Sequence, residues 1–248
     1  MRTSKNVALI VLLGLLQACV TVDQRDTDEI AASNINTELG IGYFRQNNFE
    51  LATEKLLRAL QYNPKNVEAN YVYAILQDKL GQLELAEHHY KIATDLDPKN
   101  PEAANNYGIF LCRNKRQAES EEYFLNAVKN PLYKTPEYAL TNAATCLMEI
   151  GQRQAAFEYL SRALSAKSDF DSALLRMADL HFEEEKYDQA KIYIDRYHLV
   201  ARANAHSLWL AIRNTLELDS DGDVAEMAQR LQTEFPDSQE YQAWLKIQ

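Results

Sequence analysis

The sequence is poor in residues that interrupt regular structure, with 7 glycines and 6 prolines among 248 residues. No glycine-rich loop that could cradle a phosphate is present. No run of alternating β-branched residues with turn signals stands out either, which leaves little for a sheet. Basic residues are outnumbered, 26 against 36 acidic, for a net charge of −10. Lys and Arg form no stripe. That argues against nucleic acid, because binding phosphates needs clustered cations, and direct adhesion to anionic lipid is disfavoured for the same reason. The longest apolar run, from Val7 to Leu16, is too short to span a bilayer, which takes about 20 residues. No nucleophile constellation or isolated catalytic acid pair is found, so a non-enzymatic role is expected, with no cofactor. What is abundant is Leu, Ala, Gln, Glu and Lys, a helix-forming mixture. With hydrophobic residues at 46%, a core is available and an all-α fold is expected.

The N-terminus reads as an address. Arg2 and Lys5 precede the short apolar run, followed by Leu16-Gln17-Ala18-Cys19. A basic start, a short apolar core and a small residue at the cut make a signal peptide. The four residues resemble the lipobox of bacterial lipoproteins, which implies cleavage after residue 18 and acylation of Cys19. Multiple acyl chains anchor stably where one would not. Residue 20 is Val, not the Asp that tends to retain such lipoproteins at the inner membrane. The resemblance therefore implies the periplasmic face of the outer membrane. Residues 19–32 are polar, without an apolar stripe, and are expected to be a flexible tether.

A period of 34 residues organises the rest. Gly40, Ala52, Leu56, Ala59 and Pro64 recur as Ala74, Ala86, Tyr90, Ala93 and Pro98. Gly108, Ser120, Phe124 and Ala127 form a third set, with Pro131 one residue early. After a two-residue slip come Ala144, Ala156, Leu160 and Ala163, then Ala178, Ala190, Ile194 and Tyr197. A degenerate sixth set is Ile212, Val224, Ala228, Leu231 and Pro236. This spacing resembles the tetratricopeptide family. Each unit is then two antiparallel helices, with small residues where they approach and a large residue filling the space between them. Gly81 and Gly151 suit left-handed turns within units, and Pro64 and Pro98 end second helices. The expected architecture is a right-handed superhelix of about six helix-turn-helix repeats. Their bounds are 33–66, 67–100, 101–134, 137–170, 171–204 and 205–238, with a C-terminal cap over 239–248. A terminal repeat departs from the pattern because it caps the stack.

In such arrays the first helix of each repeat lines an inner groove. Its inward face, opposite the small packing residue, carries Asn34, Thr37, Ile41 and Phe44, then Glu68, Tyr71, Ile75 and Asp78, then Glu102, Asn105, Ile109 and Cys112. Ile41, Phe44, Tyr71, Ile75, Asn105 and Ile109 are the candidate partner-binding residues. An apolar strip of this kind suits a partner's amphipathic helix or extended segment, and equally a homodimer. For Ile41 and Ile109, packing between neighbouring first helices is the competing reading. Thr141, Thr145 and Met148 continue the face more weakly. Trp209 and Arg213 form either a second contact surface or, for Trp209, part of the core.

Cys112 and Cys146 remain as an even pair in an oxidising compartment. They fit either a bridge between adjacent first helices or two buried thiols. His88-His89 invites a metal reading. Neighbours on a helix diverge by roughly 100°, and no ligand at i+4 completes a site, so a solvated face is expected. Glu183-Glu184-Glu185 reads as solvated charge in a turn.

The strings Asn105-Asn106-Tyr107-Gly108-Ile109-Phe110-Leu111-Cys112 and Asn142-Ala143-Ala144-Thr145-Cys146 resemble type IV pilus biogenesis lipoproteins of the PilF/PilW family. The length, the lipobox and the six repeats fit as well. The resemblance implies a pilotin role, in which the lipoprotein brings the pilus secretin subunit to the outer membrane and supports its multimerisation. Other envelope adaptors share fold and address: the lipoprotein scaffold of outer-membrane barrel assembly, and repeat lipoproteins that recruit peptidoglycan hydrolases.

Overall fold

The structure, a computed structural model, describes residues 25–219 and 224–247. The signal peptide, Cys19 and residues 220–223 lie outside this set. The described chain is 79% helical, without a strand. Thirteen helices follow one another: α1 over 25–45, α2 Phe49–Tyr62, α3 Val67–Lys79, α4 Leu83–Leu96, α5 Pro101–Arg113, α6 Gln117–Lys129, α7 Pro136–Glu149, α8 Arg153–Ala166, α9 Asp171–Glu183, α10 Tyr187–Val200, α11 Ala205–Glu217, α12 Val224–Glu234 and α13 Gln239–Trp244. The fold is all-α, of the tetratricopeptide-repeat class. No described helix is long and apolar enough to cross a membrane. The chain divides into two compact units, Met1–Phe110 and Leu111–Gln248.

The 34-residue spacing works through burial. Second helices bury the same three positions in turn: Ala52, Leu56 and Ala59; Ala86, Tyr90 and Ala93; Ser120, Phe124 and Ala127; Ala156, Leu160 and Ala163; Ala190, Ile194 and Tyr197. α12 keeps two of them, Ala228 and Leu231. Among the described residues, positive φ recurs in every turn inside a helix pair, at Asn47, Gly81, Lys115, Gly151, Glu185 and Asp219. The two-residue slip falls in the link between α6 and α7, which holds six residues where the α2–α3 link holds four.

In the first unit, Ala52, Leu56, Val72, Tyr73 and Leu76 form a core cluster. The links before α3 and α5 are built alike. Asn63 Oδ1 accepts from the Lys65 amide at 3.0 Å, and Asp97 Oδ1 from the Lys99 amide at 3.1 Å. Asn66 and Asn100 then cap their helices by accepting from the amides of Ala69 and Ala103. These side chains satisfy donors that a helix start leaves open. Asn66 also donates through Nδ2 to Ser33 Oγ at 2.9 Å, tying α1 to the start of α3.

Two expectations are corrected here. The tether assigned to residues 19–32 is helical from 25 onward. Residues 25–31 are exposed, as their polarity requires, but exposure does not prevent helix. Once α1 is fixed by buried Ser33 and Thr37, each residue added towards the N-terminus gains a hydrogen bond without a new nucleation cost, and no Gly or Pro interrupts. His88 and His89 do not share a solvated face either. His88 is exposed, whereas His89 is half-buried, edge-on to Tyr73 at 4.8 Å. Its Nδ1 lies 2.8 Å from Asn70 Oδ1.

In the second unit, Ala178, Ile194, Leu210 and Ala211 form one cluster. Ala203, Leu208, Ile212, Ala228 and Leu231 form another, with Trp209, Tyr241 and Trp244 packed on it. Tyr241 and Trp244 belong to α13, which covers the terminal helix pair. Cys112 and Cys146 are bridged, with Cα atoms 5.8 Å apart, so the end of α5 is joined to α7.

Candidate protein-binding surfaces

The first surface lies in the first unit. Ile41, Phe44 and Tyr71 come together, half-buried, on the cluster around Leu56 and Tyr73. They flank the core and keep part of their surface exposed. Phe44 continues onto Phe49, ring centroids 5.9 Å apart, and Lys79 Nζ lies 5.6 Å from the Phe49 ring. Tyr71 donates its hydroxyl to Glu68 Oε1 at 3.4 Å. Burial, then the charges of Glu68 and Glu102, push its pKa upward, so the phenol stays protonated. Ile75 follows one turn after Tyr71 and is half-buried, as is Ile109 on α5.

Asn105 does not belong to this surface. It is buried to 9% exposure and engaged in an interaction of its own. Thr37, Tyr71 and Asn105 occupy one repeat register. The short side chains sink below the helix surface while the tyrosine reaches past it. Inwardness along a helix fixes direction but not reach.

The second surface is a cavity of about 470 Å³ in the second unit, walled by the first helices α7, α9 and α11. Thr145, Met148 and Glu149 come from α7, Arg176, Asp179, Phe182 and Glu183 from α9, and His206, Leu210 and Arg213 from α11. Among these, Asp179 is buried. Its carboxylate takes Arg176 Nη1 at 3.2 Å and faces His206 Nε2 at 2.6 Å. Glu149 and Glu183 pair outward, with Lys115 at 3.4 Å and Arg153 at 3.3 Å. Glu183 is thus ion-paired, and Glu184 likewise pairs with Lys186 at 2.8 Å. The Arg213 guanidinium carbon lies 4.4 Å from the Phe182 ring centroid and 5.6 Å from that of Trp209, a cation–π arrangement. Its Nε is buried without a hydrogen-bond partner. Trp209 packs on the terminal core, and the Arg213 guanidinium lies beside its ring.

Of this cavity, Thr145, Met148 and Arg213 stood out in the sequence, while Arg176, Asp179 and His206 did not. A signal existed. Ile41, Ile75, Ile109, Thr145, Asp179 and Arg213 occupy one register once the slip is counted, and the register changes from apolar to charged along the chain. Among the described residues, no group of three or more His, Cys, Asp or Glu side chains could hold a metal ion.

Comparison with known proteins sets these surfaces in a family. A tetratricopeptide repeat model matches residues 43–105. The type IV pilus assembly protein PilF of Pseudomonas aeruginosa is 31% identical over 241 residues, covering 95% of this chain and 96% of that one. The crystal structure of PilW, described as a widely conserved type IV pilus biogenesis factor, is 33% identical, with a TM-score of 0.79 over 86% of this chain and 98% of its own. The solved PilF of Pseudomonas aeruginosa gives a TM-score of 0.80 at 28% identity, over 89% and 100%. At that identity and coverage, the chain belongs to the PilF/PilW family of tetratricopeptide-repeat proteins of type IV pilus biogenesis.

Proposed function

We propose that this chain is the pilotin of a type IV pilus secretin, held on the periplasmic face of the outer membrane by acyl chains on Cys19. The observation that carries the reading is family membership over nearly the whole chain, joined to the lipobox at Leu16-Gln17-Ala18-Cys19. The half-buried residues Phe44, Tyr71 and Ile75 suit the apolar side of a secretin segment, which would be shielded from aggregation during export. Lipid on Cys19 then commits the complex to the outer membrane, where subunits meet in two dimensions.

The experiment is co-purification of the tagged, lipidated protein from detergent-solubilised envelopes. The parent should retain the pilus secretin, and Ile75→Asp should release it while keeping its helical circular dichroism. Cys19→Ser should leave the secretin unassembled or at the inner membrane, with loss of twitching motility. Correct outer-membrane rings in that variant would sink the delivery model. Recovery of barrel-assembly components or cell-wall hydrolases instead of the secretin would replace the function.

A further inference from the structure

The cavity between α7, α9 and α11 is not used by the function proposed above, and its chemistry is specific. Three acidic side chains line it, and each is engaged: Asp179 by Arg176 and His206, Glu149 by Lys115, Glu183 by Arg153. Arg213 is different. It lies over two aromatic rings, and its buried Nε has no hydrogen-bond partner. A cation in that state lacks the counter-charge that a half-buried guanidinium normally has. Stacking fixes the plane of the guanidinium, and a fixed planar fork suits a carboxylate better than a flexible ammonium does. Beside it, the half-buried Met148 and Phe182 supply an apolar wall.

We propose that this cavity binds an extended peptide of a partner protein, taking one acidic side chain onto Arg213 and its apolar neighbour against Met148 and Phe182. The charge complement is a single carboxylate, because Arg213 is the lining cation whose interactions are with rings alone. The size is that of a ligand pocket, which spans roughly 300–1,000 Å³. The rim residues Glu149, Glu183, Arg176 and His206 keep 41%, 48%, 43% and 39% of their side chains exposed, so a chain can lie along the rim and need not end inside. That favours an internal Asp or Glu over a chain terminus. Asp179 engages Arg176 and His206, which leaves Arg213 as the cation open to a carboxylate.

The test uses the full chain and a panel of heptapeptides blocked at both ends, with a central Glu flanked by Leu, Phe or Met, and the same panel with Gln. Binding is followed by calorimetry and by the indole signal of Trp209 in heteronuclear NMR. At least one Glu peptide should bind saturably and shift that signal, with affinity falling roughly tenfold for its Gln counterpart, the loss of one charge-assisted contact. Arg213→Gln should abolish the difference between the two, whereas Arg58→Gln, on α2 of the first unit, should leave it intact. Arg213→Lys keeps the charge but not the fork and should fall between. Equal binding of Glu and Gln peptides, no binding by any Glu peptide, or binding that appears only when the C-terminus is freed would each overturn the proposal. Pili and secretin do not enter the readout, so this result is independent of the pilotin assignment.

Discussion

Gly40 on α1 lies so close to Leu56 on α2 that a Cβ added to the glycine would sit 2.6 Å from Leu56 Cγ and 2.9 Å from Cδ2. Leu56 is fully buried, so it cannot swing out. Gly40→Ala improves helix propensity by about 1 kcal/mol, but overpacking of this kind costs about 1–3 kcal/mol. We expect a net loss of about 1 kcal/mol in denaturant titration. In a double-mutant cycle with Leu56→Ala the two losses should be less than additive. A neutral Gly40→Ala would mean that the helices do not need this close approach.

The positive-φ turns make a prediction of opposite sign at two kinds of position. Gly81 (φ +76°) and Gly151 (φ +74°) have open space where a Cβ would stand. Replacement by Ala therefore tests the backbone conformation alone and should cost about 1 kcal/mol. Glu185 holds φ +58° with a side chain. Glu185→Gly should gain about 0.5 kcal/mol, the relief of strain less the added freedom of the unfolded chain. Thermal unfolding of the paired variants decides; the same sign at both positions would refute the argument.

The Cys112–Cys146 bridge closes a separation of 34 residues. By loop entropy such a closure stabilises by roughly 3–4 kcal/mol. Cys112→Ser combined with Cys146→Ser, or reductant alone, should lower the denaturation midpoint accordingly. Hydrogen exchange should quicken first in α7. Unchanged midpoints with and without reductant would show that the helices hold this geometry unaided.

His89 makes stability depend on acid. Burial first, then the neighbouring His88, depress its pKa to about 4 from an ordinary 6.5. The folded state therefore binds fewer protons than the unfolded state between those values, so stability is complete above about pH 6.5 and falls as pH drops towards 4. Allowing for solvent screening, the loss is on the order of 1–2 kcal/mol. His89→Gln can still meet Asn70 and should flatten this part of the profile. His181 and His198 are lowered in the same sense, chiefly by burial, and should leave a residual slope.

The helix pairs were legible in the sequence because their cause is local and repeated: a small residue, twelve positions, another small residue, then a bulky one. The turns were placed by the period, but their conformation was visible only at the glycines. Lys115 and Glu185 adopt the same backbone under tertiary constraint, which side-chain identity does not announce. Asn105 was misplaced because helical direction says nothing of side-chain length. Residues 25–32 were misread because an exposed helical extension has no apolar stripe to betray it. The Asp179–His206–Arg176 cluster was missed because its members sit on two helices and meet only through the stacking of neighbouring repeats.

One feature of the second unit also governs how the chain answers to force. If the N-terminus is held and a partner seated between α7, α9 and α11 draws on the second unit, the chain that carries the bridge is under tension. Thirty-four residues pulled straight would span roughly 115 Å, but the bridge between Cys112 and Cys146 holds their Cα atoms 5.8 Å apart. One full repeat period is thereby removed from the length the chain can yield, and a stretching trace should lengthen by roughly 110 Å when the bridge is reduced.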